Sequence, residues 1–402
     1  MRSFIRAPQL LRRRLTNRRE TLTAKLNLSA NERRLIDLVW RRGPIARTDL
    51  ADLTGLTGAS VTRMVRTLDG LGLVEETVNR VGARGQPTRP IHINRSGAQA
   101  IGVYFSHHHA EIGLIDLGGA ILHAETRLLE NGDPAALGAM AASFLADVEV
   151  RGLTARDRLL GIGVAVPADF IDGARQLHAH AYFPELARRD ALLDFARAVP
   201  VPVYVENDAA SAALGERILG AAQNLESFIF VHIGHGVGGG ILMDGRLIRG
   251  ARGNAGMIGI QFPNDRPRPS GQDLFATLTR EGIAIDDFAD LEALSVQSCA
   301  PLRAWVKRAG GQLREQLGIT ARLFDPEAVL LGGRLPLPLL HALLAEVNVP
   351  GFCDEGVGLP APRVVGSMLG VRAGMVGAAA LPIFRTLLDW REGEGAPGLL
   401  LA

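Results

Sequence analysis

Two cysteines among 402 residues, Cys299 and Cys353, cannot build a disulfide framework or a cysteine-rich zinc site, and so few cysteines fit a reducing cytoplasm. No apolar run approaches the roughly 18 residues that cross a bilayer, so no membrane partner is expected. The first twenty residues are rich in arginine but carry neither a long apolar stretch nor a small-residue cleavage site, which argues against a secretory leader. Lysine is almost missing: Lys25 and Lys307 are the two in the chain, and arginine supplies the remaining positive charge. Genome composition can impose that preference with no function behind it.

What the chain does have is length and asymmetry. At 402 residues and 47% hydrophobic content it exceeds one hydrophobic core and predicts two or three globular domains. Its net charge of +2 hides a basic head on an acidic body. Residues 1–98 hold 19 lysines and arginines against 8 acidic residues, whereas the remainder holds 25 against 34. A solvated basic face would account for charge alone, but here a motif coincides with it.

Residues 28–98 read as a winged helix-turn-helix. Ser29 and Glu32 form a capping-box start for a helix through Leu35, Ile36, Leu38 and Val39, which Gly43-Pro44 ends. A second helix over 47–53 and a turn at Thr54-Gly55-Leu56 lead to a third helix over 58–71. Val61, Met64, Val65 and Leu68 form its buried stripe, which leaves Thr57, Ala59, Ser60, Thr62, Arg63 and Arg66 toward solvent or DNA. Strands at Leu73–Thr77 and Ile91–Ile93 flank a wing whose Arg80, Arg84 and Arg89 suit backbone or minor-groove contact. Such a module places one helix in a major groove, so operator DNA is the expected partner. Residues 1–27 show no core pattern and are expected to form a flexible basic arm.

From Ile101 the pattern turns strand-rich α/β. His107-His108-His109 fall in a turn without a cysteine or paired carboxylate to complete a metal shell, so a surface turn is expected and no metal. Gly234, Gly236 and Gly239 match G-x-G-x-x-G, but the dinucleotide fingerprint needs a helix after the glycines, and here Gly239-Gly240-Ile241-Leu242-Met243 continues as a strand. A glycine hairpin lining a cleft is the better reading.

Taken in order, GIGVAVP (161–167), VENDAASAALGE (205–216), HIGHGVGGGILMDGRLIRGARGNAG (232–256), FDPEAVLLGG (324–333) and GMVGAAAL (374–381) resemble the ROK family of repressors, open reading frames and kinases. The resemblance, over about 28–390, implies a two-lobed actin-like ATPase body of the sugar-kinase type, with a sugar site between the lobes and assembly into a homodimer or homotetramer. The domains then read as arm 1–27, head 28–98, lobe 1 at 99–206 completed by a C-terminal helix at 371–390, lobe 2 at 207–370 and a tail at 391–402.

The same resemblance exposes departures from the kinases. Their Asp-x-Gly-Gly-Thr phosphate loop is replaced by Tyr104-Phe105-Ser106-His107-His108, which offers neither close backbone approach nor a metal-binding carboxylate. Gly234, Gly236, Gly238 and Gly239 are then a vestigial nucleotide loop. Met257 and Ile260 stand where a zinc-site glutamate and histidine are expected, and Phe275 where a sugar-binding glutamate is expected, so the cleft should be more apolar than in relatives. Asn207 and Asp208 occupy the sugar-binding and general-base positions, although both residue types also cap helices. His178 and His180 share one face of an extended stretch bordering the cleft and are further candidates for ligand contact. No catalytic residue is expected beyond a vestigial base at Asp208, and no cofactor. The expected protein is a cytoplasmic DNA-binding regulator, a repressor answering to a sugar or sugar derivative. The rival reading is an ATP-dependent sugar kinase with a regulatory head.

Overall fold

The computed structural model describes residues 21–77, 89–105, 109–129, 132–179, 183–353, 358–389 and 399–401. The head begins with a short helix α1 (Leu22–Lys25), followed by α2 (Ala30–Arg42), α3 (Arg47–Thr54) and α4 (Gly58–Gly70). Strands β1 (Val74–Glu76) and β2 (Ile91–Ile93) then pair antiparallel. The capping box forms: the Ser29 amide donates to Glu32 at 2.8 Å, and the Glu32 amide donates to Ser29 Oγ at 3.3 Å. Gly55 takes φ 72°, the left-handed backbone that closes the turn between α3 and α4. Val61, Met64, Val65 and Leu68 are buried together on α4.

One expectation for the head is overturned. The arm does not extend to residue 27: Thr21 and Leu22 are buried, and Thr23 Oγ1 donates to the Leu160 carbonyl at 2.5 Å. A long-range bond of that kind leaves no periodic trace in a local sequence pattern. Residues 1–20 lie outside the described residues, as do Arg80 and Arg84.

Lobe 1 is built on β3 (Gln99–Phe105), β4 (His109–Asp116) and β5 (Ile121–Leu128), then α5 (Pro134–Val150) and β6 (Leu159–Val166). A side hairpin of β7 (Ala168–Asp172) and β8 (Gln176–Ala179) precedes α6 (Ala191–Ala198) and β9 (Val203–Asn207). Next come α7 (Asp208–Leu219), β10 (Phe228–Ile233), β11 (Val237–Met243) and β12 (Arg246–Leu247). Lobe 2 continues with α8 (Gly271–Arg280), α9 (Ala300–Phe324), β13 (Ala328–Gly333), α10 (Leu337–Val347) and β14 (Arg363–Gly366). The chain returns through α11 (Ala373–Ile383) to β15 (Leu399–Leu401). That last strand pairs antiparallel with β9, so part of the segment expected as a tail is an edge of the lobe 1 sheet.

The sheets run β15-β9-β6-β3-β4-β5 in lobe 1 and β12-β11-β10-β13-β14 in lobe 2. Helices α5 and α6 cover one face of the first sheet, with Phe144 and Phe195 fully buried among its strands. Helix α11 lies on the other face, so close that glycine is required. A Cβ on Gly163 would sit 1.8 Å from the Ala378 carbonyl oxygen, and one on Gly102 2.1 Å from that of Met375. Helix α7 fills the seam between the lobes, with Gly215 against Gly377 of α11 on one side and Ala213 against Gly240 of β11 on the other.

The head does not hang free. One buried apolar cluster runs from Leu35, Ile36 and Val39 of α2 through Leu214 and Ile218 of α7 to Phe228 of β10 and Phe384. Polar contacts reinforce it: Trp40 Nε1 donates to the Ile218 carbonyl at 3.0 Å, and Arg33 donates to the Asp389 carbonyl at 3.2 Å. Asp37 accepts from Arg41 at 2.7 Å and from Arg217 at 3.1 Å, while Arg41 also bonds Glu226. The stretch 370–388 is long and apolar enough to cross a membrane, but 83% of its most apolar window is buried inside the protein as a core helix.

Candidate functional site

Between the lobes lies a cavity of about 520 Å³, within the range of small-molecule sites. Its floor is where β9 ends and α7 begins. Asn207 lines it, but its side chain is committed: Oδ1 accepts from the Ala209 and Ala210 amides at 3.0 and 3.3 Å, and Nδ2 donates to the Ala168 carbonyl at 3.2 Å. The helix-capping role foreseen as an alternative is thus realised. Asp208 is placed differently. One oxygen accepts from the Ala209 amide at 2.8 Å, and burial pushes the carboxyl above its usual range, opposed by the nearby His232.

His178, on β8, stands at the rim with Nδ1 3.7 Å from Asp169, its side chain mostly in solvent. His180 lies outside the described residues. The glycine segment is a strand–turn–strand hairpin, β10 pairing with β11 from Phe228↔Leu242 to Ile233↔Val237. Gly234, Gly236, Gly238 and Gly239 all face the cavity. Near the end of β3, Tyr104 fills the position where the family resemblance leads one to expect a phosphate loop. Its ring lies over Gly374, where a Cβ would come within 2.6 Å, and burial drives the phenol far above its ordinary pKa.

One expectation about the lining fails. Phe275 does not face the cavity; it packs with His235 and Phe288 at centroid distances of 5.7 and 4.9 Å. The wall of the cleft mixes apolar and polar surface, the apolar share being the larger. Met257 and Ile260 sit at the mouth and are 44% and 78% exposed, whereas Asn254, Arg268, Gln272 and Arg334 bring polar groups to the wall.

Sequence reasoning missed His232 and Arg334. His232 interrupts the otherwise apolar strand FIFVHI and is 4% exposed; burial lowers its pKa, so the imidazole is held neutral. Arg334 follows directly on β13. Its Nη2 donates to both oxygens of Asp287 at 3.2 and 3.3 Å, and its guanidinium lies 4.6 Å from the centre of the Phe288 ring. Among the described residues no cluster of three or more histidines, cysteines and carboxylates could hold a metal.

On the head, Gly58, Ala59, Thr62, Arg63, Arg66 and Thr67 line a shallow depression along the outer face of α4. Thr57 caps the helix, taking the Ser60 amide at 3.3 Å and donating to Ser60 Oγ at 2.9 Å. Arg63, Arg66 and Arg89 are exposed.

The model of the ROK family matches residues 100–383. A Sinorhizobium fredii protein, "Uncharacterized protein y4fQ", is 39% identical over 374 residues, spanning 93% of this chain and 95% of its own. The DNA-binding transcriptional dual regulator NagC of Escherichia coli is 28% identical over 400 residues, spanning 92% of this chain and 94% of its own. Among solved structures, a transcriptional regulator described as a homolog of the E. coli MLC protein aligns with TM-score 0.65 and 26% identity, over 90% of this chain and 96% of that one. A glucokinase from Streptomyces griseus in complex with glucose and AMPPNP aligns with TM-score 0.57 and 24% identity, over 71% of this chain and 99% of that one, a likeness of fold.

Proposed function

The chain belongs to the ROK family, and from that premise we propose that it is a sequence-specific DNA-binding transcription regulator, a repressor whose interlobe cleft binds a sugar-derived effector. Its body has the α/β two-lobed fold of that family, which serves regulators and kinases alike. The observation that carries the regulator reading is the buried Tyr104 ring standing where a kinase needs an open, glycine-lined phosphate loop. The alignment with a DNA-binding regulator along 92% of this chain, head included, supports the same reading.

In this reading residues 28–98 form a winged helix-turn-helix. Helix α4 enters the major groove, with Thr57, Ala59, Ser60, Thr62, Arg63 and Arg66 facing bases and phosphates, while Arg80, Arg84 and Arg89 touch the backbone from the wing. The protein acts in the cytoplasm as a homodimer or homotetramer on an inverted-repeat operator. Asp208 and His178 contact the effector, with Asn207 shaping the site by capping α7.

Effector binding closes the cleft and shifts one lobe against the other. Two connections carry that shift to the head. One is the segment 94–100, in which Asn94 Nδ2 donates to the Gly72 carbonyl at 2.8 Å. The other is α7, which rises about 14 Å from Asp208 at the cleft to Arg217 against Asp37. The coupling energy expected of such a switch is about 1–3 kcal/mol, and operator DNA must change effector affinity by the same factor.

The test is binding to DNA from the gene's own upstream region. Specific binding over random DNA is expected, and its absence refutes the regulator. ATP-dependent phosphorylation of hexoses or amino sugars that is abolished by Asp208→Asn would instead establish the kinase.

A further inference from the structure

The cavity holds three buried nitrogens with no hydrogen-bond partner among the described residues: Nδ1 and Nε2 of His232 and Nη1 of Arg334. An unpaired buried polar group is costly, so a folded chain that gathers three in one cavity leaves room for something that pairs them. The geometry around Arg334 is that of a presented cation. Asp287 fixes one edge of the guanidinium and Phe288 its face, while Arg334 lines the cavity and its Nη1 is left without a partner.

The charges of the wall are segregated. After Asp208, the lining residues include Arg268, Arg334, His232 and His235 but no aspartate or glutamate. Its two carboxylates, Asp169 and Asp208, come from β7 and the start of α7. A neutral imidazole offers one N–H and one acceptor nitrogen, so His232 can donate to an anionic oxygen while accepting from a hydroxyl. A guanidinium prefers planar anionic partners.

We propose that the effector is an acidic polyol, a sugar bearing a carboxylate or a phosphate, whose anionic group is held by Arg334 and His232 while its hydroxyls face Asp208 and His178. The proposal rests on the reading of the cleft as an effector site. It adds that the effector's charge, and not its hydroxyls alone, is recognised.

Calorimetry on the full-length protein at fixed ionic strength tests this with glucose, glucuronate, gluconate and glucose 6-phosphate, together with the galacto and manno series. At least one acidic probe is expected to bind about tenfold or more tightly than its neutral parent. Arg334→Gln should erase that advantage, so that acid and neutral parent bind alike, and His232→Gln should reduce it. The better of carboxylate and phosphate names the source of the anion. Neutral sugars that bind as tightly as their acids overturn the proposal. So does an advantage that survives in Arg334→Gln, or a panel in which no acid binds, because water alone then completes these nitrogens. Operator binding without any probe, measured in parallel, shows separately whether the regulator reading has failed.

Discussion

Among the described residues, Asp37 is the single carboxylate that Arg217 bonds across the junction of head and body, at 3.1 Å, with the two side chains 9% and 4% exposed. Asp37→Ala therefore strands a guanidinium where water does not reach it, since Glu226 is already engaged by Arg41. Breaking a buried pair from one side costs about 3–5 kcal/mol. Asp37→Asn keeps the shape and one acceptor but loses the charge, and should cost about 1–3 kcal/mol. Replacing both partners, Asp37→Ala with Arg217→Met, removes the stranded charge and should cost clearly less than the two single losses together, with a coupling of about 0.5–3 kcal/mol. Urea unfolding followed by tryptophan fluorescence measures all of these. Trp40 reports from the junction and Trp305 from the lobe 2 core. If Asp37→Ala costs less than about 1 kcal/mol, or if the two substitutions simply add, the pair does not hold the junction and the reasoning fails.

Three further outcomes are expected. Joint Arg63→Ala and Arg66→Ala should abolish operator affinity at physiological salt and flatten the log–log salt slope by about 0.9 for each phosphate contact removed; retained affinity would dismiss α4 as the reading helix. Gly163→Ala should destabilise by about 1–3 kcal/mol, because its Cβ would meet the Ala378 carbonyl at 1.8 Å; an unchanged melting temperature would show that α11 is free to withdraw from the sheet. Burial raises the Asp208 carboxyl, so folding favours its protonated form and loses stability as pH rises through the folded-state pKa. Asp208→Asn should accordingly stabilise the ligand-free protein at pH 8, with the gain shrinking as pH falls toward the ordinary carboxylate range; a gain independent of pH would refute the linkage.

Local chemistry made the head legible. The Ser29–Glu32 capping box, the glycine of the inter-helix turn and the four-residue apolar stripe of α4 are short-range signals, and each element formed where those signals placed it. The glycine hairpin was legible for the same reason, since an apolar strand and not a helix carries on through the glycines to Met243. Contacts between distant segments were not legible. His232 and Arg334 reach one cavity because β10 and β13 are parallel neighbours, and no window of sequence contains both. Asn207 and Asp208 were ambiguous between capping and ligand contact because both roles use the same atoms. The structure divides them, giving Asn207 the cap and turning Asp208 toward His232.

The buried cluster that joins α2 to α7 bears on how such a protein could arise. A DNA-reading module that carries its own core can be transplanted onto any enzyme by a simple gene fusion. Here Leu35, Ile36 and Val39 finish their packing against Leu214 and Ile218, and Asp37 needs Arg217. Head and body are therefore fitted to each other: a head moved onto another body would need a matching surface at the far end of the helix whose first residue lines the cleft.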